Sequence, residues 1–213
     1  MRRRVLSIDW DYFTEDNQLC EPCKICRWDC WDFTDCRPKN PVNRIRNNQQ
    51  VCTDPSDPYA YSFTLVRETV AKWAHAIKGC PLIVADCHGS IYRFLEQRDN
   101  VINFDAHEDY DGLGGRLTCG NWAKLAEKTK KIKYTWRHRR AYRKLTALRS
   151  PMDLVFVCQS TPYTAPKLDG DFHAMLKLLS KTTRSTPRFV GMGARKMRRL
   201  YVKSGGVILD NVA

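Results

Sequence analysis

Val101-Ile102-Asn103-Phe104-Asp105-Ala106-His107-Glu108-Asp109-Tyr110 is the stretch from which the rest of the chain can be read. Its first four residues are largely apolar and β-branched, so they predict a buried strand, and the polar run begins where that strand should end. In extended backbone the side chains alternate faces, which would put Asp105, His107 and Asp109 on one side and Ala106 and Glu108 on the other. Three ligand-type side chains on one face are what a metal site needs. In open α/β sheets, the C-terminal end of a strand is also where ligands bind. The plainer alternative is a polar loop in which Asp109 caps a helix.

Reading outward, Arg4–Trp10 predicts a strand with Val5, Leu6 and Ile8 buried, ending in Asp9-Trp10-Asp11. Asp9 and Asp11 share a face by the same period of two. Carboxylates taken out of water need a partner, either a salt bridge or a cation held between them. Pro81–Ala85 predicts a second buried strand, followed by Asp86-Cys87-His88-Gly89-Ser90 and a short helix to Gln97. That places His88 at a strand's C-terminal end. Asp153–Cys158 predicts another strand, leading into Gln159-Ser160.

Helical patterns separate the strands. Ser62–Lys78 carries an apolar stripe of Leu65, Val66, Thr69, Val70, Trp73, Ala74 and Ile77, with Ser62 as cap and His75 off the stripe, on the surface. A helix from Thr118 to about Lys131, a strand over Ile132–Trp136 and a helix over Gly170–Lys181, with His173 solvent-exposed, follow. Val207-Ile208-Leu209 is expected as an edge strand. Arg188–Gly193 (RFVGMG) has the flavour of a phosphate loop but lacks the full glycine pattern and is not read as one. The alternation predicts a three-layer α/β/α domain with a mainly parallel sheet. A single domain over residues 1–213 is expected, with a Cys-rich insert at about 14–58.

That insert holds Cys20, Cys23, Cys26, Cys30, Cys36 and Cys52 and five prolines. The Cys20-x2-Cys23-x2-Cys26-x3-Cys30 spacing suits a structural zinc site, an iron–sulfur cluster run or plain thiols. Over the whole chain, 43% hydrophobic and 28% charged residues exclude a disordered chain. No apolar run approaches the roughly 18 residues of a membrane span. Arg2–Arg4 lead straight to acidic residues rather than to a signal peptide's apolar stretch, so a cytoplasmic location is expected. The net charge of +13 implies an acidic partner, such as nucleic acid, an anionic surface or an acidic peptide. Trp136–Arg149 is the densest basic stretch.

Parallel strands would bring Asp9, Asp11, His88, Asp105, His107 and Asp109 to one edge. One metal cannot use all six and keep an open position, whereas two can if carboxylates bridge them. Four carboxylates balance two divalent ions. Oxygen-rich ligation with histidine favours manganese, with iron and zinc as competitors. A bridging water would deprotonate near neutral pH and serve as nucleophile.

These residues bring a family into view. The Asp105–Asp109 motif, with the Asp9/Asp11 pair and the His88 strand end, resembles the ureohydrolases, the arginase and agmatinase superfamily. That family carries a GGDHS-like motif, a DAHxD motif and an SxDxDxxDP motif. Asp105, His107 and Asp109 match the second in full. Cys87-His88-Gly89-Ser90 matches the first loosely, without the GGDH context. Ser7-Ile8-Asp9-Trp10-Asp11 matches the third, but at the N-terminus and out of order. The order, with Gly120-Asn121-Trp122 after the second motif, is similar to a divergent arginase-like branch. That branch includes the peptide arginases, which convert arginine to ornithine within ribosomally made peptides.

The resemblance implies an arginase/deacetylase-like fold and two Mn2+ per chain. Asp9 and Asp105 would bridge them, with His88 and Asp109 on one ion and His107 and Asp11 on the other. It further implies a hydroxide bridging the metals, urea and an ornithine side chain as products, and an arginine-containing peptide as substrate, with an acidic leader segment to match the basic exterior. Asn121 resembles a substrate-side residue, or else caps its helix. The acid that protonates the leaving amine is not identified: Glu108 should face away and His138 is distant in the chain. A metal-dependent deacetylase is the nearest rival, but it needs a tandem histidine pair and no two histidines here are adjacent. From another class, the rival is a basic, zinc-stapled nucleic-acid- or peptide-binding protein with an inactive hydrolase core.

Overall fold

Six short runs, of which the four central ones are rich in β-branched and aliphatic residues, build one parallel sheet: β1 (Arg4–Asp9), β2 (Leu82–Ala85), β3 (Asn100–Asp105), β4 (Lys133–His138), β5 (Leu154–Cys158) and β6 (Arg188–Val190). Their order across the sheet is β4-β3-β1-β5-β2-β6. In this computed structural model the described residues are 2–14, 61–110, 117–138, 147–160, 164, 166–191 and 193–208. The Cys-rich insert with Cys20, Cys23, Cys26 and Cys30, the 111–115 loop and the middle of the 136–149 basic stretch lie outside them. The helices are α1 (Asp11–Thr14), α2 (Phe63–Ile77), α3 (Trp122–Lys130), α4 (Asp169–Thr183) and α5 (Ala194–Lys203), with 3-10 segments at His88–Phe94 and Pro166–Leu168.

Helices cover both faces, giving three layers. On one face α2, α4 and α5 pack over Leu6, Ile8, Trp10, Phe104, Val155 and Val157. On the other, α3 and the His88–Phe94 segment pack over Val5, Ala85, Val101 and Phe156. Helix α2 shows why the layers hold. Val66, Thr69, Val70, Trp73 and Ile77 recur at i, i+3, i+4 spacing and are buried, while Arg67, Glu68 and Lys72 stay exposed. Each large apolar side chain fully buried this way contributes about 1.5–3 kcal/mol. His75 is exposed, as its place off the stripe predicts. Ser62 occupies the cap position but makes no capping hydrogen bond through its side chain. The helix stops at Gly79, whose φ of +82° is the left-handed conformation glycine adopts without strain.

Four details add to the sequence reading or depart from it. First, RFVGMG is an edge strand running into α5. Gly193 donates its amide to Asp86 Oδ2 at 2.7 Å, and a Cβ at Gly191 or Gly193 would collide with the Asp86 carboxylate. The glycines let that carboxylate seat against the start of α5, so the position is taken by a side chain and not by phosphate. Second, residues 206–208 form no strand. Gly205, at φ +84°, turns the chain back and Gly206 donates to the Tyr201 carbonyl at 3.0 Å. Third, His173 is buried rather than exposed, because it widens the buried stripe Phe172, Met175, Leu176 and Leu179 of α4. Fourth, the basic stretch opens as β4, where Lys133 and Arg137 are exposed. Charged side chains on an edge strand discourage pairing with another chain. Among the described residues no helix is long and apolar enough to cross a membrane.

Candidate metal centre

The chain leaves β1 toward α2 on one face and leaves β3 toward α3 on the other. Since β1 and β3 are neighbours, the chain's topological switch point lies between their C-terminal ends, where open α/β sheets have their binding crevice. Asp9 is the last residue of β1, Asp105 the last of β3, and Asp11 begins α1. His88 reaches the crevice from the 3-10 segment after β2. Its ring lies parallel to Phe156, with centroids 6.0 Å apart, and 5.0 Å from Trp122.

His88 Nδ1 sits 2.9 Å from Asp9 Oδ2, 2.9 Å from Asp105 Oδ2 and 3.1 Å from Asp109 Oδ2. It makes no hydrogen bond of proper geometry with any of them, although it is buried. The nitrogen thus faces the space between three oxygens. A second group adjoins it: His107 Nδ1 lies 2.9 Å from Asp11 Oδ2 and 3.8 Å from Asp105 Oδ1. Asp9, His88 and Asp105 form one group whose ligand atoms all lie within 4.8 Å of each other, and Asp11, Asp105 and His107 form another. Asp105 belongs to both. The first group is closed off from solvent, whereas the His107 side chain is 43% exposed and marks the mouth.

Strand alternation alone does not bring Asp105, His107 and Asp109 together, because β3 ends at Asp105. The His107 amide donates to Asp105 Oδ1 at 2.7 Å, an Asx-type turn. Asp109 then adopts φ +58°, and its Oδ2 accepts a hydrogen bond from Trp122 Nε1. The convergence comes from a turn rather than from extended chain.

The electrostatics follow from four carboxylates in a space nearly closed to water. Burial, then the charge of Asp11, pushes Asp9 up to about 7. Burial and the neighbouring Asp109, Asp11 and Asp9 hold Asp105 well above the usual carboxylate range. For Asp11, burial is outweighed by the charge and hydrogen bond of His107, and it falls below its ordinary value. For His88, burial is outweighed by Asp109, Asp105 and Asp9, which hold the imidazolium well above its ordinary range. Without another cation, retained protons keep this cluster from carrying its full negative charge. An oxygen-rich donor set converging on an imidazole nitrogen that is aligned with none of its oxygens therefore fits a divalent cation.

The six residues singled out in the sequence all lie in this cluster. Gln159 and Ser160 do not join it. Gln159 Nε2 donates to Asp169 Oδ1 at 3.1 Å, and the Ser160 amide donates to Cys158 Sγ at 3.2 Å. Asn121 is buried, and its Oδ1 accepts the Thr118 amide at 2.8 Å just ahead of α3. Glu108 is exposed, facing away as expected. His138, unplaced by sequence, stands opposite Asp105 in the β3–β4 register. Residues not singled out complete the surroundings. Ser7 Oγ lies 2.7 Å from His88 Nε2, and Asn103 Nδ2 donates to Asp105 Oδ2 at 3.1 Å. Trp136 Nε1 donates to the Asp105 carbonyl at 3.1 Å. A serine and an asparagine inside otherwise apolar strands were the signal for the first two.

No family model matches this chain, and no curated protein or solved structure is significantly similar to it.

Proposed function

We propose that the protein is a metal-dependent hydrolase of guanidino groups, acting on peptidyl arginine to give ornithine and urea. The observation that carries this reading is the convergence of four carboxylates and two imidazoles, with His88 Nδ1 bare of any hydrogen bond among them. The likeness of Asp105–Asp109 to the ureohydrolase motif selects guanidino chemistry from the many reactions such a centre supports.

In this reading His88, Asp9, Asp105 and Asp109 hold one Mn2+, and Asp11, Asp105, His107 and Asp9 hold a second. Divalent cations there would supply Lewis acidity and, from water, a nucleophile at neutral pH. The chain's own residues do the rest. The carboxylates make the crevice tolerant of a cationic guanidinium, which stays protonated and is a poor electrophile. The half-exposed His107 marks the side from which an arginine side chain would enter. The basic exterior would attract an acidic segment of the substrate outside the crevice.

Metal per chain is the deciding quantity. After loading with manganese and desalting, mass spectrometry should find about two ions in the wild type and none in Asp9→Ala/Asp105→Ala. Urea release from arginine peptides, compared with free arginine, then tests the substrate. Zinc alone, equal in both proteins, would overturn the reading.

One observation favours a second reading, a basic binding protein with an inactive hydrolase core. Between Phe172 and Leu209 there are nine Lys/Arg and no Asp/Glu, and on α5 Arg195, Lys196, Arg199 and Lys203 are exposed. Nucleic-acid binding that weakens steeply with salt, without hydrolysis, would support it.

A further inference from the structure

Two rows of side chains lie across the face of the sheet that α3 covers. The upper row, at the strand ends, includes Cys158, Asp9, Asp105 and His138. The row beneath it includes Phe156, Ser7, Asn103 and Trp136, with Ser7 flanked in register by Phe156 and Asn103. Ser7 is fully buried. A buried hydroxyl costs about 1–3 kcal/mol unless it is hydrogen-bonded, so its partner matters. That partner is His88 Nε2, at 2.7 Å. From this juxtaposition we infer that Ser7 is a positioning residue: its hydroxyl accepts the Nε2 proton of His88 and so leaves Nδ1 free to ligate the metal between Asp9 and Asp105. The inference rests on the metal reading above.

A metal bound at Nδ1 leaves His88 little choice. A neutral imidazole carries one proton, and only the bare nitrogen binds a metal. With a metal ion among the three carboxylate oxygens that Nδ1 faces, Nδ1 must be bare, so the ring's one proton belongs on Nε2, where Ser7 Oγ is the acceptor. Phe156 and Trp122 flank the ring and resist a flip that would exchange the nitrogens. A hydroxyl suits the place because it also accepts from the imidazolium, so the ring keeps one orientation with and without metal. Asn103 stands beside Ser7 in the same row and holds Asp105 in the same manner, through Asp105 Oδ2. Two buried polar residues of adjacent strands thus each fix one candidate ligand. Groups that orient metal ligands in this way are typically worth about 10–100-fold in metal affinity.

Ser7→Thr and Ser7→Val separate the hydroxyl from packing, since the two side chains have nearly the same shape. Mn2+ affinity is read by calorimetry. The protonated ring nitrogen of His88 is read by 15N NMR of Zn2+-loaded protein. The expected result is Mn2+ binding about tenfold or more tighter in the threonine variant than in the valine variant. A threonine variant with His88 protonated at Nε2 is also expected. Equal affinities in the two variants, or a proton on Nδ1 in the loaded threonine variant, would overturn the role of Ser7 while leaving the metal centre standing. A wild-type protein that takes up no metal would overturn both. If the valine variant does not fold, Ser7→Ala against wild type gives the same comparison.

Discussion

His88 Nδ1 and Asp105 Oδ2 lie 2.9 Å apart in a space nearly closed to water, yet no hydrogen bond joins them. A buried donor and acceptor at that distance would normally align, because an unmade hydrogen bond is costly. Here Nδ1 is aimed between three oxygens rather than at one. Side chains that converge on a point, instead of on each other, are arranged for something at that point. The same carboxylate reaches toward His107 through its other oxygen, which makes Asp105 the one residue common to both candidate groups.

Removing that shared residue should therefore cost more than removing His88, Asp11, His107 or Asp109, each of which serves one ion alone. Asp105→Ala is expected to lose both bound Mn2+ ions and to lower urea release from arginine peptides at least about a hundredfold, the upper end of what groups that merely orient a metal ligand contribute. Metal analysis and a urea assay check this together. An active, metal-replete Asp105→Ala protein would end the dinuclear mechanism.

The two groups differ in exposure, and their affinities should differ with it. The His88 group is closed to water, whereas His107 lies at the mouth with its side chain 43% exposed. His107→Ala is expected to retain about one Mn2+ per chain, held as tightly as the tighter ion of the wild type. A titration showing loss of both ions, or of neither, would contradict that division.

In the proposed centre protons and metal would compete for the same atoms, which fixes the sign of the pH dependence. Asp9, pushed up to about 7 by burial and then by Asp11, binds its proton more tightly in the folded chain than in the unfolded one. Asp105 behaves likewise. Folding stabilised by these protons weakens as pH rises toward 7 and beyond. His88, held above its ordinary range mainly by Asp109 against the cost of burial, adds stability below about 6.5 that is lost as pH climbs through its folded value. Asp11 is shifted down, so its contribution is lost only in more acidic solution, outside this window. In EDTA the melting temperature should therefore fall between about pH 5 and pH 8. With Mn2+ present the stabilisation should grow over the same range, since the ligands must deprotonate to bind. Thermal melts with and without metal check both slopes. A metal-free protein that gains stability with pH across this range would contradict the assignment.

What the sequence discloses, and what it hides, divides along physical lines. β1, β2, β3 and β5 are buried on both faces, so their apolar runs are nearly continuous and easy to read. Helix α2 shows a single clean stripe. The ends of β1 and β3 declare themselves because carboxylates are expensive beside such strands. Legibility fails where a partner distant in the chain decides the outcome. Gly191 and Gly193 are explained by Asp86, more than a hundred residues earlier. The partner of Ser7 lies 81 residues away and that of Asp109 lies 13 away, on another element. The convergence of His107 and Asp109 does not follow from strand alternation: a turn at Asp105 and a left-handed Asp109 achieve it.

Asp86 offers the test that separates fold from site. It sits two residues before His88 and looks, by position, like a member of the metal centre. Its carboxylate instead turns to the opposite edge of the sheet and accepts the Gly193 amide ahead of α5. Asp86→Ala removes that acceptor and should cost about 0.5–2 kcal/mol of stability, the range for lost helix caps. Mn2+ binding, corrected for folded fraction, should stay within about threefold of wild type, well short of the effect of losing a group that orients a ligand. Chemical denaturation beside a metal titration reads both quantities. A folded Asp86→Ala protein stripped of metal would move Asp86 into the centre and show that the edge of β2, not only the crevice between β1 and β3, holds the cations.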